Sequence, residues 1–465
     1  MKITLSSVIR VEEPTGRLLA WAKETLTLPN PDYLKKSRMG KWTGNTPREI
    51  RLYSMDGDAL ILPFGTARSV WGFVGDEDTV ISAFPQKHEI LYGGAEVPLY
   101  DYQREAVGHC LIAKYGILQS AAGSGKTQMG IALAKQLGRR TLWLTHTLDL
   151  LRQSKERAER YIPEDLIGTI ESGRVNVGKG ITFATVQTMA RMDLSPWRDT
   201  WDVIIVDECH RVTGTPTAVS QFSKVLGQLK ARHRFGLSAT VHRADGMIAA
   251  TKALLGDVIY QVPDSAVADK VMKVKVLPVG TGTGITPDCL GPDGMVQYSR
   301  LINHMCEDED RCRLIVDTIT ENRNHSCLIL SDRVGHLQRL MSLLPVDMRR
   351  NAVMVDGSMT TKAAKQYRAQ AIEDMRTGRM RYLFATYSLA KEGLDVPRLS
   401  RLFLTTPQKD YAVITQSIGR VARTFDGKPD PVVIDFVDSS RMMQKMYKQR
   451  CTVYRKNKCE LVEEA

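Results

Sequence analysis

Two series of short, continuously apolar runs, separated by stretches of helical periodicity, constrain this chain more than any other feature. The first holds "GILQS" (116–120), "TLWLTHT" (141–147), "ITFATV" (181–186), "DVIIVDE" (202–208) and "RFGLSAT" (234–240). The second holds "SCLILSD" (326–332), "AVMVDGS" (352–358), "RYLFATY" (381–387), "RLFLTTP" (401–407) and "VVIDFVD" (432–438). Unbroken apolar runs predict strands covered on both faces, and their alternation with helices predicts parallel sheets. The expected class is α/β, with two units in tandem. Between them, "VGTGTGITPDCLGPDG" places Pro287 and Pro292 where a helix would have to begin, so it reads as a loop or linker despite its glycines.

A chain of 465 residues exceeds one ordinary core. We expect a small α+β accessory domain over 1–92, a first α/β domain over 93–265 and a second over 266–465 ending in a basic helix. In the accessory part, "EIRLYSMDGDALILPFG" reads as two strands joined at Asp56-Gly57. Ahead of it, "PDYLKKSRMGKWTGNTPR" reads as a loop or short helix. There Lys35, Lys36, Arg38, Lys41, Arg48 and Arg51 oppose only Asp32 and Glu49. Two readings stand for this stretch: phosphate binding with Trp42 and Tyr33 stacking on a base, or a solvated loop whose aromatics turn into a small core. At the other end, "SSRMMQKMYKQRCTVYRKNK" has helical apolar spacing and seven Lys or Arg between 441 and 458.

The net charge of +12 is compatible with a polyanionic partner, and 43% hydrophobic with 25% charged residues excludes wholesale disorder. The eight cysteines form no CxxC pair and read as free thiols of a reducing cytosol. No run approaches the ~20 apolar residues of a membrane span, and Arg10 interrupts any signal core. The expectation is a soluble cytoplasmic protein.

"SAAGSGKT" (120–127) follows an apolar run and precedes the helical "QMGIALAKQL". In this setting Ala122, Gly123, Ser124 and Gly125 offer backbone N–H groups to phosphates, Lys126 reaches the β and γ oxygens, and Thr127 ligates Mg²⁺. Ser120 stands where the strict pattern has glycine. Eighty residues on, "VIIVDECH" (203–210) ends an apolar run on two carboxylates, which need a cation, a proton or a reacting group nearby unless the strand simply meets solvent there. With Lys126 and Thr127 in view, Asp207 is expected in the magnesium shell and Glu208 beside the attacking water. ATP and Mg²⁺ are the implied cofactors.

The ordered series "YDYQREAV" (100–107), "AAGSGKT", "DECH", "GLSAT", "ATYSLAKEGLDVP" and "QSIGRVART" resembles the motif set of superfamily 2 helicases and translocases, over residues 99 to about 438. The resemblance implies two tandem RecA-like parallel-sheet motor domains. It implies that Gln103 reads adenine, and that Ser238 and Thr240, with His210 as relay, couple ATP state to movement; a capping or packing role for His210 stays open. Gln416, Arg420 and Arg423 are implied at the γ-phosphate, and Gly393 and Asp395 in a nucleotide-sensing turn. The three-residue spacing of Arg420 and Arg423 predicts one helical turn with both facing one cleft.

For nucleic acid the resemblance points to Thr145, His146, Arg152, Thr185 and Gln187 in the first motor, and to Ser331, Arg333 and Thr386 in the second. Each is also suited to a turn or cap. "DECH" in place of D-E-A-D, and Gln416 in place of a histidine, separate the chain from DEAD-box enzymes. "LSATVHRADGM", with Arg243 and Asp245, and "LLGDVIYQVPDSAVADKVM" resemble the XPB-like DNA branch, and the layout resembles phage branch-migration helicases of the UvsW type. The implied partner is forked, branched or duplex DNA, with a monomer plausible and the host cytoplasm as location. An RNA helicase, the motor of a restriction complex, and a nucleic-acid-binding module with a structural ATP site are the alternatives.

Overall fold

The computed structural model describes residues 1–85, 87–121, 123–171, 173–213, 216–239, 247–263, 265–266, 272–357, 359, 361–391 and 394–462. Ala122, Thr240, Arg243, Asp245 and Gly393 lie outside the described residues. The chain divides into two compact units, one of residues 1–266 without 122–124, the other of 267–465 with those three.

The first unit is built on an eight-stranded sheet. Its order is Arg174–Asn176, Ile167–Glu171, Ile181–Thr185, Thr141–Thr145, Val203–Asp207, His233–Ser238, Tyr115–Gln119, Val258–Gln261. Neighbours run parallel except at the edge, where Arg174–Asn176 lies antiparallel to Ile167–Glu171. Thr141–Thr145, Ile181–Thr185 and Val203–Asp207 are buried at every position, which is why their sequences do not alternate. Leu142, Leu144, Ile204 and Val206 share one core layer. Trp143 points to the other face and tilts against Phe183. Each such side chain contributes ~1.5–3 kcal/mol on burial. Ile167–Glu171 and Val258–Gln261 are strands that the sequence pattern did not reveal; the latter is a half-exposed edge whose apolar run is only three residues long.

The first 92 residues belong to this same unit. Five strands, ordered Ser54–Asp56, Ala59–Pro63, Val8–Glu12, Lys2–Leu5, Thr79–Ser82, bury Ile3, Ile9, Val11, Leu60 and Leu62 with Leu18 and Ala22 of the helix Gly16–Thr25. The expected hairpin turns at Asp56-Gly57 and pairs Ser54 with Ile61. Its first strand is shorter than expected, because Glu49–Arg51 pairs with Thr27–Pro29 in a separate two-stranded ribbon. "PDYLKKSR" is the helix Pro31–Arg38, capped by the Asn30 side chain with proline at its start. The wholly buried Arg234 lies 4.5 Å from the Phe64 ring and donates to the carbonyls of Leu229 and Ala231, joining accessory part and motor.

The second unit holds a parallel sheet of seven strands: Ala352–Val355, Tyr382–Thr386, Cys327–Ser331, Arg401–Leu404, Val432–Val437, Lys275–Gly280, Glu460–Leu461. Lys275–Gly280 was not expected from the sequence; Pro278 and its mostly half-buried side chains disguise it. The Gly-rich stretch beyond it carries the short turn Pro287–Cys289 and an isolated bridge between Leu290 and Val296 before the helix Tyr298–Glu307. The C-terminal helix Arg441–Lys456 buries Met443, Met446, Val453 and Tyr454 as its spacing requires. Arg450, read as part of the basic face, turns inward instead. Its Nε bonds the buried Asp435 carboxylate at 2.8 Å, and Tyr454 Oη donates to the same oxygen. No described helix is long and apolar enough to cross a membrane.

Candidate nucleotide site

Three adjacent strands bring the expected first-unit residues together. Tyr115–Gln119 leads into the phosphate loop, Val203–Asp207 ends on the carboxylates, and His233–Ser238 lies hydrogen-bonded between them. Their carboxyl ends open on one edge of the sheet, where ligands of open α/β sheets bind. The helix Lys126–Leu137 starts directly after Gly125, whose φ of +82° is left-handed. A Cβ there would also come within 2.4 Å of Gln103 Nε2, so Gly125 lets the Gln103 amide lie against the loop. Gln103 Oε1 accepts from the Tyr100 N–H at 2.9 Å, which holds the amide in place at the helix start.

A closed circuit of contacts links the rest. Lys126 is buried, with Nζ 3.4 Å from the carbonyls of Ser120 and Ala121 and 3.9 Å from Glu208 Oε1. Glu208 Oε2 lies 3.3 Å from His210 Nδ1, which is 3.2 Å from Ser238 Oγ. The Ser238 carbonyl in turn accepts from the Ser120 N–H at 2.9 Å. Glu208 adopts φ +48°, a costly conformation for a non-glycine residue, and this turn directs its side chain to Lys126 and His210. Asp207 is buried; its Oδ1 accepts from the Glu208 N–H and its Oδ2 from Ser154 Oγ. Burial first, and the Glu208 charge second, push the Asp207 carboxyl up to about 7, against the pull of Lys126. Thr127 is half-buried in the first turn of the loop helix.

In the second unit, Gln416 and Arg420 lie on the helix Tyr411–Val421. That helix ends before Arg423, so the two arginines are not one helical turn apart as their spacing suggested. Arg423 is held instead by an ion pair with Asp395. The Gln416 Oε1 is buried without a hydrogen-bond partner among the described residues.

Residues 96–243 match the family model described as the res subunit of type III restriction enzymes, and residues 310–425 match the helicase conserved C-terminal domain. The probable helicase D10 of Escherichia phage T5 is 26% identical over 73% of this chain and 72% of its own length. The DNA 3'-5' translocase XPB2 of Sulfurisphaera tokodaii is 23% identical over 76% of this chain and 85% of its own. Among solved structures, Saccharomyces cerevisiae Dbp5 bound to RNA and ADP BeF3 shares the fold with a TM-score of 0.54, at 16% identity over 79% of this chain and 94% of that one. The chain is a superfamily 2 helicase. It is an ATP-hydrolysing enzyme of XPB-like type with two RecA-like motors.

The helicase residues expected at nucleic acid sit at the carboxyl ends of paired strands in each motor. Thr145 stands opposite Thr185 in register, and Ser331 opposite Thr386. All four are buried, and their hydroxyls serve nearby turns: Thr185 caps the helix Val186–Arg191, Ser331 accepts from the Arg333 N–H, and Thr145 donates to the Thr147 carbonyl. Gln187 donates to the His146 carbonyl, tying two of these loops together. Both ring nitrogens of His146 are buried, and burial with the Arg211 charge lowers its pKa to about 3, so the ring is neutral. Arg333 Nε donates to Asn303, while Arg152 is exposed, 4.0 Å from Glu171. In the accessory part of the helicase, Trp42 is 87% exposed and Lys35, Lys36, Arg38 and Lys41 lie close to it in sequence, with Lys36 donating to Thr46. Tyr33 sits under Arg48 rather than in a core. Ser154, the partner of Asp207, escaped the sequence reading. It stands 53 positions away on a helix with no distinguishing pattern.

Proposed function

We propose that this helicase is a DNA-dependent ATPase that remodels forked or branched DNA. The observation that carries the catalytic part is the circuit from Lys126 through Glu208, His210 and Ser238 back to Ser120. It links the groups that face phosphate to the strand between them, so a change at the phosphates is felt at Ser238. Among the described residues Lys126 makes long contacts, to two carbonyls and to Glu208, that it can exchange for phosphate oxygens. Glu208 orients the attacking water, and Gln416, Arg420 and Arg423 supply donors and positive charge to the developing transition state.

The oxygen donors Thr127 and Asp207 suit a hard cation, and a buried carboxyl that prefers its proton in the cation's absence fits the same assignment. When bound, Mg²⁺ would draw charge from the phosphate oxygens. Gly123, Ser124 and Gly125 contribute loop N–H groups, and Gln103 the adenine contact.

The preference for DNA draws on the XPB-like resemblance and on the DNA translocase among the relatives. Exposed Trp42 among Lys35, Lys36, Arg38 and Lys41 supplies a stacking and phosphate-binding element suited to a fork or junction. We read residues 1–92 as that accessory domain, 93–265 and 266–465 as the motors, and the site of action as the cytoplasm, that of a host cell if the gene is a phage's. The deciding experiment compares ATPase stimulation and unwinding on single strand, blunt duplex, fork, four-way junction and RNA duplex. Strongest stimulation by fork or junction DNA is the expected result. Stronger stimulation by RNA would overturn the reading, and turnover confined to a complex with a nuclease chain would indicate a restriction motor.

A further inference from the structure

A second concave site lies in the second unit, at the amino ends of its strands. That is the edge of the sheet opposite Ser331 and Thr386. Ser326, Arg381 and Ser400 stand immediately before the strands Cys327–Ser331, Tyr382–Thr386 and Arg401–Leu404, and with Arg398, Phe425 and Lys428 they line a cavity of about 270 Å³. Three cations face it against one carboxylate, Asp426. Arg381, Arg398 and Lys428 each lack a carboxylate partner among the described residues.

The cations are held in position by other means. Arg398 lies 5.4 Å from the centre of the Phe425 ring. Beneath it Gly378, with φ +83°, leaves the space that a side chain would take from the guanidinium. Lys428 Nζ donates to the carbonyls of Pro397, Val421 and Arg423 at 3.0, 2.7 and 2.7 Å. Its donors are therefore satisfied, but its charge is not.

The wall also contains polar groups without partners. Ser400 is 1% exposed, and among the described residues neither its hydroxyl nor that of Ser326 has a partner. His325 Nε2 is 2.9 Å from Arg401 Nη2 and must accept from it, so Nδ1 carries the proton, and among the described residues it too lacks an acceptor. Three cations against one carboxylate around one concavity, with unpartnered hydroxyls beside them, favour an anion there.

We propose that this cavity binds a small phosphate-bearing anion, separate from the ATP site. The pocket is a half-open concavity of about 270 Å³, at the small end of ligand cavities, whereas a nucleic-acid backbone needs an extended groove. Because Lys428 also holds the Arg423 carbonyl, an occupant bears on the segment that carries Arg423. This inference does not depend on the choice of DNA as substrate.

The test uses the full chain carrying Lys126→Ala, which weakens phosphate binding at the nucleotide loop. Inorganic phosphate, pyrophosphate and AMP are titrated by calorimetry. Saturable binding is expected, reduced about tenfold or more by adding Arg398→Gln or Arg381→Gln, as loss of a charge-assisted hydrogen bond predicts. Arg381 is exposed, so its variant decides if Arg398→Gln lowers the melting temperature. Tighter binding of AMP than of phosphate would assign a nucleotide, and the reverse a free anion; both support the site. No saturable binding below roughly 10 mM, or affinity indifferent to both substitutions, overturns the proposal.

Discussion

The Asp395 carboxylate is ion-paired with the Arg423 guanidinium, and the same carboxylate lies 3.8 Å from Arg376. Two residues that the sequence pointed to for separate reasons thus form one device. Arg423 lies past the end of its helix, so this pair decides where its charge stands. Arg423→Ala is expected to lower kcat by about 10³-fold or more. Asp395→Asn should lower kcat less, with ATP affinity nearly unchanged, because it releases the guanidinium without removing it. Steady-state ATPase assays on stimulating DNA measure both.

Lys126→Ala and Glu208→Gln are each expected to abolish measurable turnover. They should differ in binding: Lys126→Ala weakens ATP, while Glu208→Gln retains it, because the amide keeps the size of the carboxylate but cannot polarise water. Equilibrium binding of a fluorescent ATP analogue separates them, and full ATPase activity in either variant would refute the assignment.

Asp207 supplies a pH prediction. Burial and the Glu208 charge raise its carboxyl to about 7, above the ordinary value of 3.8. A raised acid stabilises the fold below the ordinary value and loses that contribution as pH climbs through the raised one. The metal-free protein should therefore lose melting temperature between about pH 4 and 7 more steeply than Asp207→Asn. Mg²⁺-ATP needs the carboxylate, so binding near pH 6 should release up to about one proton. Calorimetry in buffers of different ionisation enthalpy reads that release.

Gly130, on the loop helix, faces the Trp143 ring. An added Cβ would approach ring carbons at 2.6 and 2.7 Å and Leu237 at 2.9 Å. Gly130→Ala is expected to destabilise by about 1–3 kcal/mol through overpacking, despite alanine's better helix propensity. Chemical denaturation checks the sign.

Trp42→Ala should leave the melting temperature unchanged, since the ring is 87% exposed. If the ring stacks on a base, affinity for forked DNA falls about fivefold or more, in line with ~1–3 kcal/mol per stacked base. Fluorescence anisotropy at fixed salt is the measurement.

Much of the molecule was determined by sequence alone, for reasons that are local. Continuous apolar runs such as "VIIVD" require strands covered on both faces, and a glycine-rich turn between strand and helix requires a phosphate loop. Lys126, Asp207 and Glu208 could therefore be named from their neighbours in the chain. The tertiary structure decided what depends on residues distant in sequence. Ser154 reaches Asp207 across 53 positions, and Asp395 reaches Arg423 across 28. Arg450 leaves its basic face because Asp435 lies buried beneath it. The pocket at Arg398 and Lys428 gathers the starts of three strands and the loop after the arginine helix. A charge's partner depends on which elements pack together, and spacing along the chain carries no record of that.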